Sequence, residues 1–219
     1  MLHTSLVRVD AHQHVGMRGI SWREQPFDLI LLNPSYKYGC NCCVDGFYQQ
    51  YLWSKGRARY RQLGVFNPRC RVSLDVEFSR QLEKGIVGMV LTPTNHGYRV
   101  WEALPVVRVV ERARLPLFLS VRGLTTDDVL FLLDGLDVPL VLFHHDNGID
   151  LTGLSKFTNV YFDTADLKEE TLERLPRGKV IPGSCYPYLP DANAARKFSW
   201  ASKNLLDLIQ VEGPRGTSS

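Results

Sequence analysis

No stretch of the 219-residue chain approaches the roughly 18–20 consecutive apolar residues that a bilayer-spanning helix requires, so no membrane partner is expected. The opening "MLHTSLVRVDAH" lacks the basic region, apolar run and cleavage site of a signal peptide, and a cytoplasmic location is the expectation. Charge of one sign is missing too: Lys plus Arg number 26 against 23 for Asp plus Glu. With no basic stripe interleaved with aromatics, that balance argues against a nucleic-acid partner. Cysteine is scarce and odd in number. Five residues (Cys40, Cys42, Cys43, Cys70 and Cys185) make a disulfide framework a poor reading for an intracellular protein. The cluster "CNCC" (40–43) does not have the C-x-x-C spacing of zinc or thioredoxin-like motifs. It reads as free thiols in a long loop, with a soft-metal or redox site as the sharper alternative. Internal repeats and low-complexity segments are absent. One domain over 1–211 is expected, with a frayed tail at 212–219.

What the chain has is a series of short apolar runs, each closed by polar or Gly/Pro punctuation. Strands are expected at 6–12, 28–33, 62–67, 87–92, 115–121, 138–144, 159–164 and 179–184. Near-continuous apolar runs suit strands buried on both faces, as in a parallel sheet. Helical spacing fills most of the intervals. In 72–85, Leu74, Phe78 and Leu82 recur at i, i+4 and i+8, with Ser73 as N-cap and Gly85 as stop. Further helices are expected over 99–114 (kinked or restarted at Pro105), 125–136, 166–175 and 191–209, and over 44–61 with an interruption at Gly56. Eight strands alternating with helices imply an α/β fold, a (β/α)8 TIM-like barrel, in a chain short for its class, so that lean loops and some single-turn helices are expected. An open doubly wound sheet is the alternative, but its Gly-rich first loop is absent.

Chemistry in such a barrel gathers at the C-terminal strand ends. Five of the six histidines fall at or near expected strand ends: His12, His14, His96, His144 and His145. In "DAHQH" (10–14), His12 and His14 share a face if the strand alternates, and Asp10 joins them if it persists. Imidazole ligands suit zinc and related divalent ions, and catalytic zinc commonly keeps three protein ligands and one open position. Other polar strand-end residues are Asn95, Ser120, Arg122, Asp146, Asp163, Asp166, Ser184 and Cys185.

At these segments the sequence resembles the amidohydrolase superfamily, and within it the amidohydrolase-2 group of metal-dependent hydrolases and decarboxylases. "VDAHQHVG" (9–16) is similar to the group's "DxHxH" opening strand, "EFSRQLEKGIVGMVLTP" (77–93) to its helix, Gly turn and fourth strand, and "LVLFHHDNG" (140–148) to its sixth-strand segment. "NVYFDTAD" (159–166) resembles the seventh strand and "IPGSCYPYLPDA" (181–192) the last-strand "GSDYP". The resemblance implies a distorted barrel with a metal site at its mouth. His12, His14 and one of His144 and His145 would be ligands. Two departures stand out: Cys185 occupies the position of the eighth-strand aspartate, and Ser120 that of a fifth-strand histidine.

The expected function is therefore a metal-dependent hydrolase that attacks a small carbonyl, amide or lactone substrate through water on a divalent ion, most simply zinc. Asp163 and Cys185 are the candidate catalytic residues, Cys185 also a candidate ligand, and His96 and Arg122 candidates for holding substrate. The alternative is a catalytically degenerate barrel that binds a ligand or partner without turnover. A third reading is a thiol-centred role for "CNCC" and Cys185. A homo-oligomer stays open: the aromatics Phe47, Tyr48, Tyr51, Trp53 and Tyr60 offer either a subunit contact or a plain core helix.

Overall fold

The computed structural model describes residues 7–15, 23–34, 44–146, 148–189 and 194–210. His3, the "CNCC" cluster and the 212–219 tail lie outside the described residues.

Eight parallel strands follow one another in chain order around a nearly closed (β/α)8 barrel. They are β1 (Val9–Gln13), β2 (Leu29–Leu32), β3 (Tyr60–Val65), β4 (Ile86–Leu91), β5 (Leu117–Ser120), β6 (Leu140–Phe143), β7 (Val160–Asp163) and β8 (Val180–Ile181). Each falls inside or within two residues of an apolar run recognised in the sequence. The ends of the sheet meet through backbone bonds: Ala11 N–H donates to Pro182 O at 2.7 Å and His14 N–H to Tyr186 O at 2.8 Å. Alternation divides the strand residues between two clusters. Met89, Leu91, Leu117, Leu119, Leu140 and Leu142 pack outward with apolar helix residues such as Val106, Val110 and Val129. Leu31, Leu63, Val90, Phe118, Val141 and Ile181 fill the interior.

The helices are α1 (Val44–Ser54), α2 (Leu74–Glu83), α3 (Pro93–His96), α4 (Leu104–Arg112), α5 (Thr126–Leu133), α6 (Leu151–Leu154), α7 (Glu169–Leu172) and α8 (Ser202–Leu208). Several are shorter than their patterns suggest. α1 stops before Gly56, whose φ of +80° turns the chain, and Tyr60 and Arg61 belong to β3 rather than to a helix. Phe47 is fully buried, so α1 supplies a core side chain. Pro105 starts α4 after a 3-10 turn at Val100–Ala103. The 166–175 pattern yields only the single turn of α7, none of whose residues is buried. The last segment is a 3-10 stretch, Ala194–Ala201, with non-helical backbone at Phe198, before α8. Among the described residues, no helix is long and apolar enough to cross a membrane.

The apolar stripe expected on α2 needs correction. Phe78 is buried as expected, but its buried companions are Glu77 and Gln81, while Leu82 is 37% exposed. The reason lies in β3, whose pairing with β4 shifts register between Gln62 and Gly64. Gln81 serves the Val65 peptide groups there: its Oε1 accepts from Val65 N–H and its Nε2 donates to Val65 O, both at 3.0 Å.

Candidate metal centre

β1 does not run in perfect alternation. Its register with β2 shifts between Asp10 and Gln13, so one extra residue is accommodated there. The shift separates Asp10 from the histidines. Asp10 pairs with Gln13, whose Nε2 donates to its Oδ2 at 2.7 Å, and accepts from Ser184 N–H and Oγ at 3.0 and 2.6 Å. Burial pushes its carboxyl up to about 6 against these donors, and the group ties β1 to the segment after β8. His12 and His14 stay together on the other side, their Nε2 atoms 3.2 Å apart.

β6 and β8 deliver the other members. His144 and Cys185 follow these strands at φ of +54° and +55°. Among the described residues only four non-glycine residues have positive φ, and two of them stand here. Such backbone costs on the order of 1–3 kcal/mol each and persists where surroundings impose it, often at functional sites. The result is that Cys185 Sγ sits 3.5 Å from His144 Nε2 and 3.8 Å from His14 Nε2. His12, His144 and Cys185 can bring one donor atom each within 4.8 Å of one another, and all three are buried.

Each imidazole is held from behind through Nδ1. His14 Nδ1 lies 3.1 Å from Asn33 O, and a carbonyl only accepts, so the proton sits on Nδ1 and Nε2 keeps its lone pair. His144 Nδ1 lies 3.1 Å from Ser120 Oγ. His12 Nδ1 faces Asp163 Oδ2 at 3.3 Å, an ionic contact without a well-formed hydrogen bond. Such partners orient ring ligands around an ion. Gly183 makes room for this carboxylate: a Cβ there would meet Asp163 Oδ2 at 2.3 Å.

Electrostatics agree with the geometry. Burial, then His12, holds His14 well below the usual imidazole range, and burial does the same to His144. Burial also opposes charge on His12, but Cys185 and Asp163 on either side outweigh it and raise its pKa. With bond lengths of about 2.0–2.1 Å to nitrogen and 2.3 Å to sulfur, a tetrahedral zinc ion separates its donors by about 3.3 Å (N–N) and 3.6 Å (N–S). The 3.5 Å between Cys185 Sγ and His144 Nε2 matches the N–S value, and His14 Nε2 lies 3.2 Å from His12 Nε2 and 3.8 Å from the sulfur.

A cavity of about 190 Å³ opens beside the thiol, lined by Asn95, Arg122, His144, Asp166, Cys185, Tyr188 and Leu189. Arg122 is there as expected. Three other candidates are not. His96 is buried with its Nδ1 2.9 Å from Thr92 Oγ1 and does not line the cavity. His145 turns aside, Nε2 3.0 Å from Asp163 O, and stays out of the donor cluster. Asp163 stands behind His12, its Oδ1 accepting from Ala165 N–H. Asp146 is also occupied, accepting from Gly123 and Gly148 N–H. Asp166 was visible only as one polar strand-end residue among several. It lines the cavity with Oδ1 buried and unbonded, and burial raises its pKa. Asn95 and Tyr188 had no sequence signal beyond position.

No family model and no curated protein sequence matches the chain. Solved structures do. A 2,6-dihydroxybenzoate decarboxylase from Rhizobium superposes at a TM-score of 0.70, with 11% identity over 94% of this chain and 99% of that one. An amidohydrolase 2 from Bifidobacterium longum subsp. infantis gives 0.65 and 12% over 94% and 99%. A probable 2-pyrone-4,6-dicarboxylic acid hydrolase from Acinetobacter baumannii gives 0.61 and 15% over 94% and 100%. These neighbours are amidohydrolase-2 family members, and what this chain shares with them at such low identity is the fold of their barrels.

Proposed function

We propose that the chain is a metal-dependent hydrolase of a small anionic amide, lactone or related carbonyl compound, with zinc held by His12, His14, His144 and Cys185. The observation that carries this reading is the meeting of His12, His144 and Cys185 donor atoms within 4.8 Å of one another, buried and beside a cavity, with His14 Nε2 3.2 Å from His12 Nε2 and 3.8 Å from the thiol. An ion bound there supplies Lewis-acid polarisation of a carbonyl oxygen and lowers the pKa of water. Arg122 is the only cationic side chain among the described residues lining the cavity, His144 being held neutral by burial, and it holds the anionic group of the substrate. Asp166 takes the proton: it lines the cavity, and burial raises its pKa, which favours proton uptake. Asp163 orients His12 instead. The cavity is below the roughly 300–1,000 Å³ of drug-sized pockets, which favours a compact substrate.

One observation favours a second reading, a site that binds its ion without turnover. Should His14 join His12, His144 and Cys185, four protein donors would complete a tetrahedral set, as in structural zinc sites.

Metal analysis, cobalt substitution and turnover assays test both. About one ion per chain is expected, and the cobalt form should show a sulfur-to-metal charge-transfer band that disappears in Cys185→Ser. Protein that binds no zinc or cobalt would overturn both readings. A loaded protein that turns over none of a panel of carboxylated lactones and amides would favour the second.

A further inference from the structure

The end of the barrel away from Cys185 carries a larger cavity, of about 430 Å³, that the proposed reaction does not use. It lies where α1 leads into β3 and α2 into β4, at the N-terminal ends of both strands. Lys55, Arg57, Arg61 and Lys84 line it, and no acidic residue does. In a chain with only 26 basic against 23 acidic residues, four cations around one concavity are a local concentration of charge. The sequence shows how it arises. Lys55, Arg57, Arg59 and Arg61 recur at every second position from the end of α1 into β3. Gly56, in the left-handed region, turns the chain so that these residues leave the helix.

The charges are positioned but not neutralised. Arg59 is the exception in the run, 3.4 Å from Glu24. Among the described residues, no carboxylate pairs with Lys55, Arg57, Arg61 or Lys84. The Arg57 guanidinium lies 4.3 Å over the Trp53 ring, and Lys84 Nζ lies 5.4 and 5.7 Å from the Tyr48 and Tyr51 rings. Arg61 Nη1 donates to the carbonyls of Ala58 and Tyr60. Ring and carbonyl contacts hold a cation in place while leaving its charge for a ligand. Behind them the wall is polar and built: Gln50 Nε2 donates to Gln62 Oε1 at 2.7 Å, Gln62 Nε2 donates to Ser54 Oγ, and all three residues are buried. An ordinary solubilising surface intersperses both signs of charge, which this cavity does not.

We propose that this cavity binds a small polyphosphate, such as the phosphate chain of a nucleoside di- or triphosphate. Two guanidinium forks and two ammonium groups match several tetrahedral oxyanions better than a lone carboxylate. The four cations border one shallow concavity rather than the extended groove that tracks a nucleic-acid strand. The site stands at the other end of the barrel from the metal centre, so it does not rest on the proposed hydrolase reading.

Isothermal titration of the full chain with sodium tripolyphosphate tests the proposal, with metal content assayed before and after so that extracted ion is not counted as binding. One site is expected, weakening as salt rises. Arg57→Gln/Arg61→Gln should reduce affinity at least about tenfold with the melting temperature retained, and Lys84→Gln should weaken binding should the double variant fail to fold. The proposal is overturned by absence of binding at millimolar tripolyphosphate, by variants that bind unchanged, by equally tight binding of citrate, or by a single-stranded RNA oligonucleotide binding tighter than tripolyphosphate.

Discussion

Cys185 replaces an oxygen donor by sulfur, and the chemistry of the mouth shifts with it. A thiolate bound to an ion keeps its charge there and is a poor shuttle for protons, so a carboxylate elsewhere has to take that work. Asp163 is badly placed for it. One oxygen faces His12, the other accepts from Ala165 N–H, and Gly183 presses close behind. Asp166 lines the cavity, and its Oδ1 is buried and unbonded. The two aspartates should therefore fail differently. Asp166→Asn should lower kcat about 10²–10⁴-fold while leaving metal content intact. Asp163→Asn should weaken metal affinity about 10–100-fold, read by competition with a chelator, because His12 loses its orienting partner. A swapped result, with metal lost on changing Asp166 and kcat alone on changing Asp163, would reverse the assignment. The His12–His14 pair, Arg122 and Cys185 were legible because their position at strand ends is a property of sequence spacing. The directions of His96 and His145 were not. Whether a side chain after a strand turns into the mouth depends on one or two backbone angles, and the positive φ of His144 sends its ring to Cys185 while His145 turns to the Asp163 carbonyl. Ser120 shows the same limit from the other side. It looked like a lost ligand and instead contacts the outer nitrogen of a present one.

Strands were easier to read than helices. A strand buried on both faces needs a continuous apolar run, and all eight runs became strands. A helix on the outside of the barrel is specified only by the face it buries, and that face need not be apolar. On α2 it includes Gln81, which serves both peptide groups of Val65 and also donates to Glu77 Oε1 at 2.8 Å. No periodicity argument finds such a residue, because it answers to an irregularity in the neighbouring strand pair. Its importance can be measured. Gln81→Leu keeps the volume and adds apolar surface, yet it leaves the buried Val65 N–H and C=O and the Glu77 carboxylate without this amide. The expected cost is about 2–4 kcal/mol, a lowered urea midpoint at unchanged m-value. A variant as stable as the parent would mean that the Val65 groups find other partners and that the amide is dispensable. The short α6 and α7 reflect the same economy: between β6 and β8 each crossover has one α-helical turn, the second followed by a 3-10 turn at Arg177–Lys179, and α7 buries nothing.

Across the whole molecule the two ends of the barrel carry different electrostatic burdens. The mouth buries imidazoles and carboxylates that respond to pH in opposite directions: burial lowers His14 and His144 and raises Asp10, while Cys185 and Asp163 raise His12. An ion binding there adds its own pH dependence, since it competes with protons for the same atoms. A stability profile of the whole protein therefore sums terms that partly cancel, and the clean measurement lies outside the cluster. His96 supplies it. Burial alone lowers its pKa from 6.5 to about 4, with Nδ1 against Thr92 Oγ1. The unfolded chain takes up the proton near pH 6.5 and the folded chain only near 4, so acidification between these values favours unfolding. The contribution is fully present above pH 6.5 and is lost as pH falls through 4. A shift of this size corresponds to about 3 kcal/mol at most. His96→Gln cannot take up that proton in either state. Its stability deficit relative to the parent, measured by urea unfolding at pH 7.5, should narrow by about 2–3 kcal/mol at pH 4, whatever the metal centre contributes to both proteins alike. A deficit that stays constant over that range would mean that His96 titrates normally in the folded state, and that the fourth-strand end is open to water rather than closed over a neutral ring.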